Sequence, residues 1–215
     1  VTYSSELKNI PTRRYGSNKD LEDIILKLNN KQYSFKVWIS RELSNKSAFR
    51  QLIQKANGTI TAQSLISKEF LPLLYTPESD WVFINSSYAL DSIINYVDKL
   101  RVKKWAAFGK ATASYLQKVG INPTFIGEGS PLEVAQQFFK KLGKDTVFIP
   151  SSNLSLGSVQ ELIPSNQKEV VTTYKTIYIK NKIPDQDCLV FTSPSNVEAY
   201  FLMNTYQNQK VVSIG

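Results

Sequence analysis

VFINSSYALDSI, residues 82–93, and VFTSPSNVEAYF, residues 190–201, are built on one plan. Each is a short apolar run, a small polar turn, and then apolar residues at helical spacing. Phe83 aligns with Phe191, Ser87 with Ser195 and Ala89 with Val197. Each copy is followed by a second apolar run ending in glycine, WAAFG at 105–109 and VVSIG at 211–215. The step from phenylalanine to glycine is 26 residues in the first copy and 24 in the second. A strand–turn–helix plan used twice predicts two related α/β units in one chain.

Outward from the first copy, Val102–Phe108 reads as a strand and Gly109-Lys110-Ala111-Thr112 as the turn into a helix that stops at Gly120. Ser130-Pro131-Leu132-Glu133 combines a serine cap, proline at the first helical position and a glutamate that closes a capping box. That helix should run to Leu142, and strands are expected at Thr146–Ile149 and Val170–Ile179. A short helix is expected over 158–163. Before the first copy, Phe35–Ile39 reads as a strand. Ser44 caps a helix carrying Phe49, Leu52 and Ile53, and residues 59–66 return as a strand. Ser195-Asn196-Val197-Glu198 is a second capping-box pattern, and Val211–Ile214 the last strand. In the leader, Arg13-Arg14-Tyr15-Gly16 reads as a turn and Asp20–Leu28 as a short helix.

This order predicts an α/β protein of two similar parallel-sheet, three-layer domains joined by a two-stranded linker. The first domain is discontinuous, residues 35–66 with 188–215. The second, 76–179, is inserted in it through crossovers at 67–75 and 180–187, and residues 1–34 form a leader or linker. Helix, strand and helix follow the glycine of the first copy but nothing follows Gly215, so the first domain is expected to be truncated at its C-terminus.

Composition narrows the chemistry. The 215 residues contain no histidine and one cysteine, Cys188. Ordinary zinc sites and nucleophiles driven by histidine are therefore excluded, and so is an intrachain disulfide. No apolar stretch is long enough to cross a bilayer, and a cytoplasmic setting is expected. The net charge of +8 suits a polyanionic partner. The basic residues are dispersed, as in Lys103–Lys104 and Lys140–Lys141, and are not interleaved with aromatics in a nucleic-acid-reading block. A small polycarboxylate is thus as good a partner as a nucleic acid.

Candidate binding groups sit where strands end and helices begin. These are Ser86 and Ser87, Lys110 and Thr112, Ser151 and Ser152, and Thr192, Ser193 and Ser195. Helix N-termini offer unpaired N–H groups and a dipole that favours anions, and in parallel α/β folds such turns gather at one sheet edge. Taken singly, each hydroxyl reads as a helix cap before it reads as a ligand contact. Gly127-Glu128-Gly129 and Gly109-Lys110 fall short of nucleotide-binding loops. Among the tyrosines, Tyr174 stands out, in a strand near a domain edge, because a phenol can donate to a leaving group where histidine is lacking.

With these residues in view, the chain resembles the uroporphyrinogen-III synthases. VFTSPSNVEAYF at 190–201 looks like that family's strand–helix signature, and AAFGKATASYLQKVGINPTFIGEG at 106–129 is similar to its glycine–x–x–threonine–alanine helix and the strand behind it. FIPSS at 148–152, VVTTYKTIY at 170–178 and VWISR at 37–41 fall in the expected order. The resemblance covers roughly residues 35–215. It implies an enzyme that cyclises linear hydroxymethylbilane to uroporphyrinogen III, losing water and inverting ring D, with no metal or organic cofactor. It implies that Tyr174 assists the departing hydroxide. It also implies that Ser86, Ser87, Lys110, Thr112, Thr192, Ser193 and Ser195 bind the acetates and propionates of the linear tetrapyrrole. Arg41, Ser151 and Ser152 are counted with them as substrate-binding residues. A monomer is expected, with no membrane or nucleic-acid partner. The departures are Glu42 where the family often has proline, and Ser151 and Ser152 where it often has arginine. The rivals are a non-catalytic binder of small anions, or an inactive homologue, and a basic module associated with nucleic acid.

Overall fold

The computed structural model describes residues 13–15, 34–155 and 157–214. The chain divides into two compact units, Val1–Ser67 with Ile177–Gly215, and Lys68–Thr176.

Unit 1 is a five-stranded sheet. Its strands are β1 (Arg13–Tyr15), β2 (Lys36–Ile39), β3 (Thr59–Ala62), β10 (Cys188–Phe191) and β11 (Lys210–Ile214). They lie in the order β1-β11-β10-β2-β3, and every pairing is parallel. Both faces of a parallel sheet must be covered, and the side chains divide accordingly. Val37, Ile39, Cys188, Val190 and Val212 pack with Ile53 of helix α1 (Ala48–Lys55). Trp38, Leu189 and Phe191 alternate to the other face and pack with Ala199 and Tyr200 of helix α6 (Pro194–Phe201). Burial pushes the Cys188 thiol up to about 12, so it is an inert core residue.

Three expectations are corrected here. Arg13–Tyr15 is not a turn but a strand, pairing Arg13 with Val212 and Tyr15 with Ile214. The residue before α1 is Ser47, not Ser44, and its side chain makes no capping bond. Residues 59–66 are not one strand. The chain leaves the first sheet after Ala62 and begins β4 (Ile66–Phe70) in the second. The helix expected over 20–28 lies outside the described residues.

Unit 2 contributes β5 (Trp81–Ile84), β6 (Lys104–Ala107), β7 (Phe125–Ile126), β8 (Val147–Ser152) and most of β9 (Lys168–Tyr178). The sheet order is β4-β9-β8-β5-β6-β7, with β5–β6, β6–β7, β5–β8 and β8–β9 all parallel. The chain passes between units inside β4 and again inside β9. On one face Trp81, Phe83, Val147 and Ile149 meet Phe138 of helix α4 (Pro131–Leu142) and Val159 of helix α5 (Ser158–Leu162). On the other, Val82, Ile84, Ala107 and Phe148 meet helices α2 (Ser87–Asp91) and α3 (Lys110–Lys118). The expected capping box of α4 is present in full. Ser130 Oγ accepts from Glu133 N–H, and the Glu133 carboxylate accepts from Ser130 N–H. Gly127 closes the turn before it, where a Cβ would stand 2.4 Å from the Phe108 carbonyl oxygen. Lys103 and Lys104, which interrupt the apolar pattern, serve the amino end of the sheet, paired with Asp80 and Asp145 at 2.8 Å each.

The two sheets share one order. Reading β1-β11-β10-β2-β3 against β7-β6-β5-β8-β9 places β10 on β5 and β1 on β7. Strand β1 thus occupies the edge of its sheet that β7 fills in unit 2. The strand order follows the same plan in both sheets, but the residue pairing expected between the copies is displaced by one. Phe83 faces α4 and α5, whereas Phe191 faces α6, the counterpart of α2. The helix caps fix the true register, since Ser86 matches Ser193 rather than Ser87 matching Ser195. A one-residue slip exchanges the faces of a strand.

Candidate active site

In unit 2 three strand–helix turns open on the carboxyl edge of the sheet. Ser86 and Ser87 follow β5, Lys110 and Thr112 open α3 after β6, and Ser151 and Ser152 end β8. The order reverses between β5 and β8, which is where open α/β sheets bind ligands. Ser86 is the N-cap of α2, its Oγ accepting from Ala89 N–H at 3.3 Å. Ser152 Oγ accepts from Leu154 N–H at 3.2 Å, and Ser151 is buried with its Oγ 3.5 Å from the Ser152 carbonyl. These hydroxyls are engaged within their own turns. Ser87 and Thr112 are half-buried in the first turns of α2 and α3. Lys110 is exposed and already paired, its ammonium 3.0 Å from Glu128.

Tyr174 reaches this edge from β9. Its ring is only 8% exposed, and its phenol oxygen lies 3.4 Å from Ser86 Oγ. A bulge aims it. The register runs from Ser151 opposite Thr172 to Ser152 opposite Tyr174, so Thr173 is the extra residue. Val171 and Tyr174 both pack with the α2–α3 core, although in an unbroken strand residues three apart face opposite ways. Thr173 is held by Ser92, with 2.7 Å between their hydroxyls, both fully enclosed.

Around Tyr174 stand groups that sequence reasoning missed. Lys68 Nζ lies 5.4 Å from the centre of the Tyr174 ring and 5.1 Å from that of Tyr88. It donates to Thr176 Oγ1 at 2.6 Å. Burial lowers its pKa from the ordinary lysine value. Only the alternation of β4 could have hinted at Lys68, and in ISKEF that pattern is too weak to assign a face.

In unit 1 the equivalent reversal lies between β2 and β10. Thr192 N–H donates to Ser40 Oγ at 2.8 Å, and Thr192 Oγ1 lies 3.2 Å from both the Ser40 hydroxyl and its carbonyl. Ser193 caps α6 by accepting from Asn196 N–H at 3.3 Å. Ser195 is inside the helix, so the capping box expected from Ser195 and Glu198 does not form, and Glu198 instead accepts a hydrogen bond from the Tyr178 phenol. Arg41 follows β2 and is exposed. Tyr174, Ser86, Ser87, Lys110, Thr112, Ser151 and Ser152 thus share the edge of one unit, and Arg41, Thr192, Ser193 and Ser195 that of the other. Among the described residues no cluster of acidic or cysteine side chains could hold a metal ion, and no helix is long and apolar enough to cross a membrane.

Known proteins share this architecture. A solved structure of uroporphyrinogen-III synthetase from Helicobacter pylori is similar at a TM-score of 0.61 and 16% identity, over 85% of this chain and 84% of that one. A mutant uroporphyrinogen III synthase from Thermus thermophilus gives 0.57 and 15%, over 84% and 85%. At such identities the likeness concerns the fold. No curated protein sequence matches the chain. The family model described as uroporphyrinogen-III synthase HemD matches residues 47–215. That match spans well over half of the residues, and the chain belongs to the uroporphyrinogen-III synthase family.

Proposed function

We propose that this protein cyclises hydroxymethylbilane to uroporphyrinogen III, with loss of water and inversion of ring D. Family membership carries the reading, and the Tyr174 phenol beside the Ser86 cap supplies a chemical centre for it. The hydroxyl on the terminal pyrrolylmethyl carbon leaves as the ring nitrogen pushes electrons toward that carbon. Tyr174 donates its proton to the departing oxygen, so water is released as the C–O bond breaks. The substituted carbon of ring D, which carries no hydrogen, bonds the freed methylene. Its older bond to the neighbouring methylene then breaks, that methylene bonds the unsubstituted α-carbon of ring D, and the proton this carbon loses returns to the phenolate. The remaining task is to fold a flexible chain so that ring D is attacked at its substituted carbon, which is a matter of orientation.

The carboxylates of the substrate are assigned to the turns. Helix N-termini at Ser86–Ser87, Lys110–Thr112 and Ser193–Ser195 favour anions through their N–H groups and dipoles. Ser151, Ser152, Thr192 and Arg41 complete the proposed set. Strands β4 and β9, in which the chain changes unit, serve as the two-stranded linker. We also take the protein to act as a cytoplasmic monomer, which sedimentation would test. The deciding experiment is incubation with freshly prepared hydroxymethylbilane. Type III product above the spontaneous type I background supports the synthase, and type I alone overturns it.

A further inference from the structure

We propose that Lys68 is a substrate-binding residue that anchors one carboxylate of the linear tetrapyrrole beside Tyr174. The inference rests on the synthase reading for the identity of the ligand and on unit 2 for its geometry. Lys68 Nζ is half-buried between the faces of Tyr88 and Tyr174, at 5.1 and 5.4 Å from the ring centres. Its single hydrogen bond to a described residue goes to Thr176 Oγ1, a neutral oxygen. Among the described residues, no carboxylate lies within ion-pair distance of it, whereas Arg101, Lys103, Lys104 and Lys110 each have one.

An ammonium carries three donors. One meets Thr176, and the others meet only aromatic faces or solvent. An aromatic face attracts a cation, but a charge-assisted bond to a carboxylate is the stronger interaction. Partial burial, which already lowers the pKa of this lysine, raises the benefit of a counter-ion. Tyr174 and Thr176 are two residues apart on β9 and face the same way as Lys68. The bulge at Thr173 therefore sets proton donor and cation side by side. A carboxylate held by Lys68 would fix the pyrrole that carries it close to the phenol. Lys110, the cation that the turn pattern singles out, is by contrast exposed and engaged by Glu128.

The test uses Lys68→Met, which keeps the apolar stem against both rings and removes the charge, and Lys68→Arg, which restores a charge. Binding of uroporphyrin III, an octacarboxylate, is followed by tryptophan fluorescence, and turnover of hydroxymethylbilane is measured in parallel. Lys68→Met is expected to raise Kd and KM about tenfold with kcat changed less than about threefold. Lys68→Arg should recover most of the loss, and the salt dependence of Kd should be shallower in Lys68→Met than in wild type. An unchanged Kd in a folded Lys68→Met protein overturns the proposal. So does a fall in thermal midpoint that accounts for the whole change and that Lys68→Arg does not repair, since Lys68 would then only staple β4 to β9. Wild-type protein that makes type I product alone overturns the synthase reading, while the binding arm still decides the role of Lys68.

Discussion

The Tyr174 phenol stands 3.4 Å from the Ser86 hydroxyl, joining a bulged strand to the cap of a helix 88 positions earlier in the chain. At that separation the contact is weak, and neither group is saturated by the other. A substrate hydroxyl can therefore enter between phenol and cap without breaking a strong bond. Tyr174→Phe keeps the ring, which packs in the α2–α3 core, and removes only the donor. We expect kcat for type III formation to fall about 100-fold, with an unchanged circular dichroism spectrum. Equal turnover by the two proteins would remove Tyr174 from the chemistry.

Lys110 forms an exposed ion pair with Glu128. Such pairs contribute about 0–1 kcal/mol, so Lys110→Ala should leave stability to urea nearly unchanged. Its KM should rise less than that of Lys68→Met. A larger rise would return Lys110 to the centre of the site.

Ser40 is enclosed at the strand reversal of unit 1, where its hydroxyl accepts from Thr192 N–H at 2.8 Å. Ser40→Ala leaves that N–H without its partner. The expected loss is about 1–3 kcal/mol in urea unfolding, with Ser40→Thr less affected. No loss would mean that water replaces the serine.

Asp80 ties two strands at the amino end of the unit 2 sheet. The Lys103 ammonium, then the Thr146 N–H, draws its carboxyl down from the usual 3.8 to about 2. Because the folded value is the lower one, this contribution to stability is complete above about pH 4. It is lost as pH falls from about 4 to about 2, where the folded state too becomes protonated. The difference in unfolding free energy between wild type and Asp80→Asn should shrink across that interval. A difference independent of pH would rule out the ionised pair as its source.

Much of the frame was readable from residue pattern alone. Parallel strands buried on both faces give continuous apolar runs, so WVFI and CLVF declare themselves. Ser130 and Glu133 satisfy each other within one turn, and a local bond leaves a local signature. The bulge at Thr173 leaves none, because it depends on the partner strand's register. Lys68 is hidden for the same reason, since its neighbours Tyr88, Tyr174 and Thr176 come from distant stretches. The sequence alone aligns the copies one residue out, because Phe83 and Phe191 match in type while facing opposite ways. The strand at Arg13–Tyr15 escaped notice because three polar-leaning residues carry no strand period, and β11 supplies the template.

The division of unit 1 bears on how the chain is made. Its strand β2 can pair early with β3, but its other edge is filled only when β10 exists, as in the bond from Lys36 N–H to the Asp187 carboxylate, 151 positions apart. Unit 2 is one uninterrupted stretch, Lys68–Thr176, and can close its core as it leaves the ribosome. Meanwhile Trp38, whose face is covered by Leu189, Phe191, Ala199 and Tyr200, must wait in solvent. Synthesis should therefore yield a folded middle preceded by a strand pair open along one edge and one face, and that interval is when the nascent protein has most need of a chaperone.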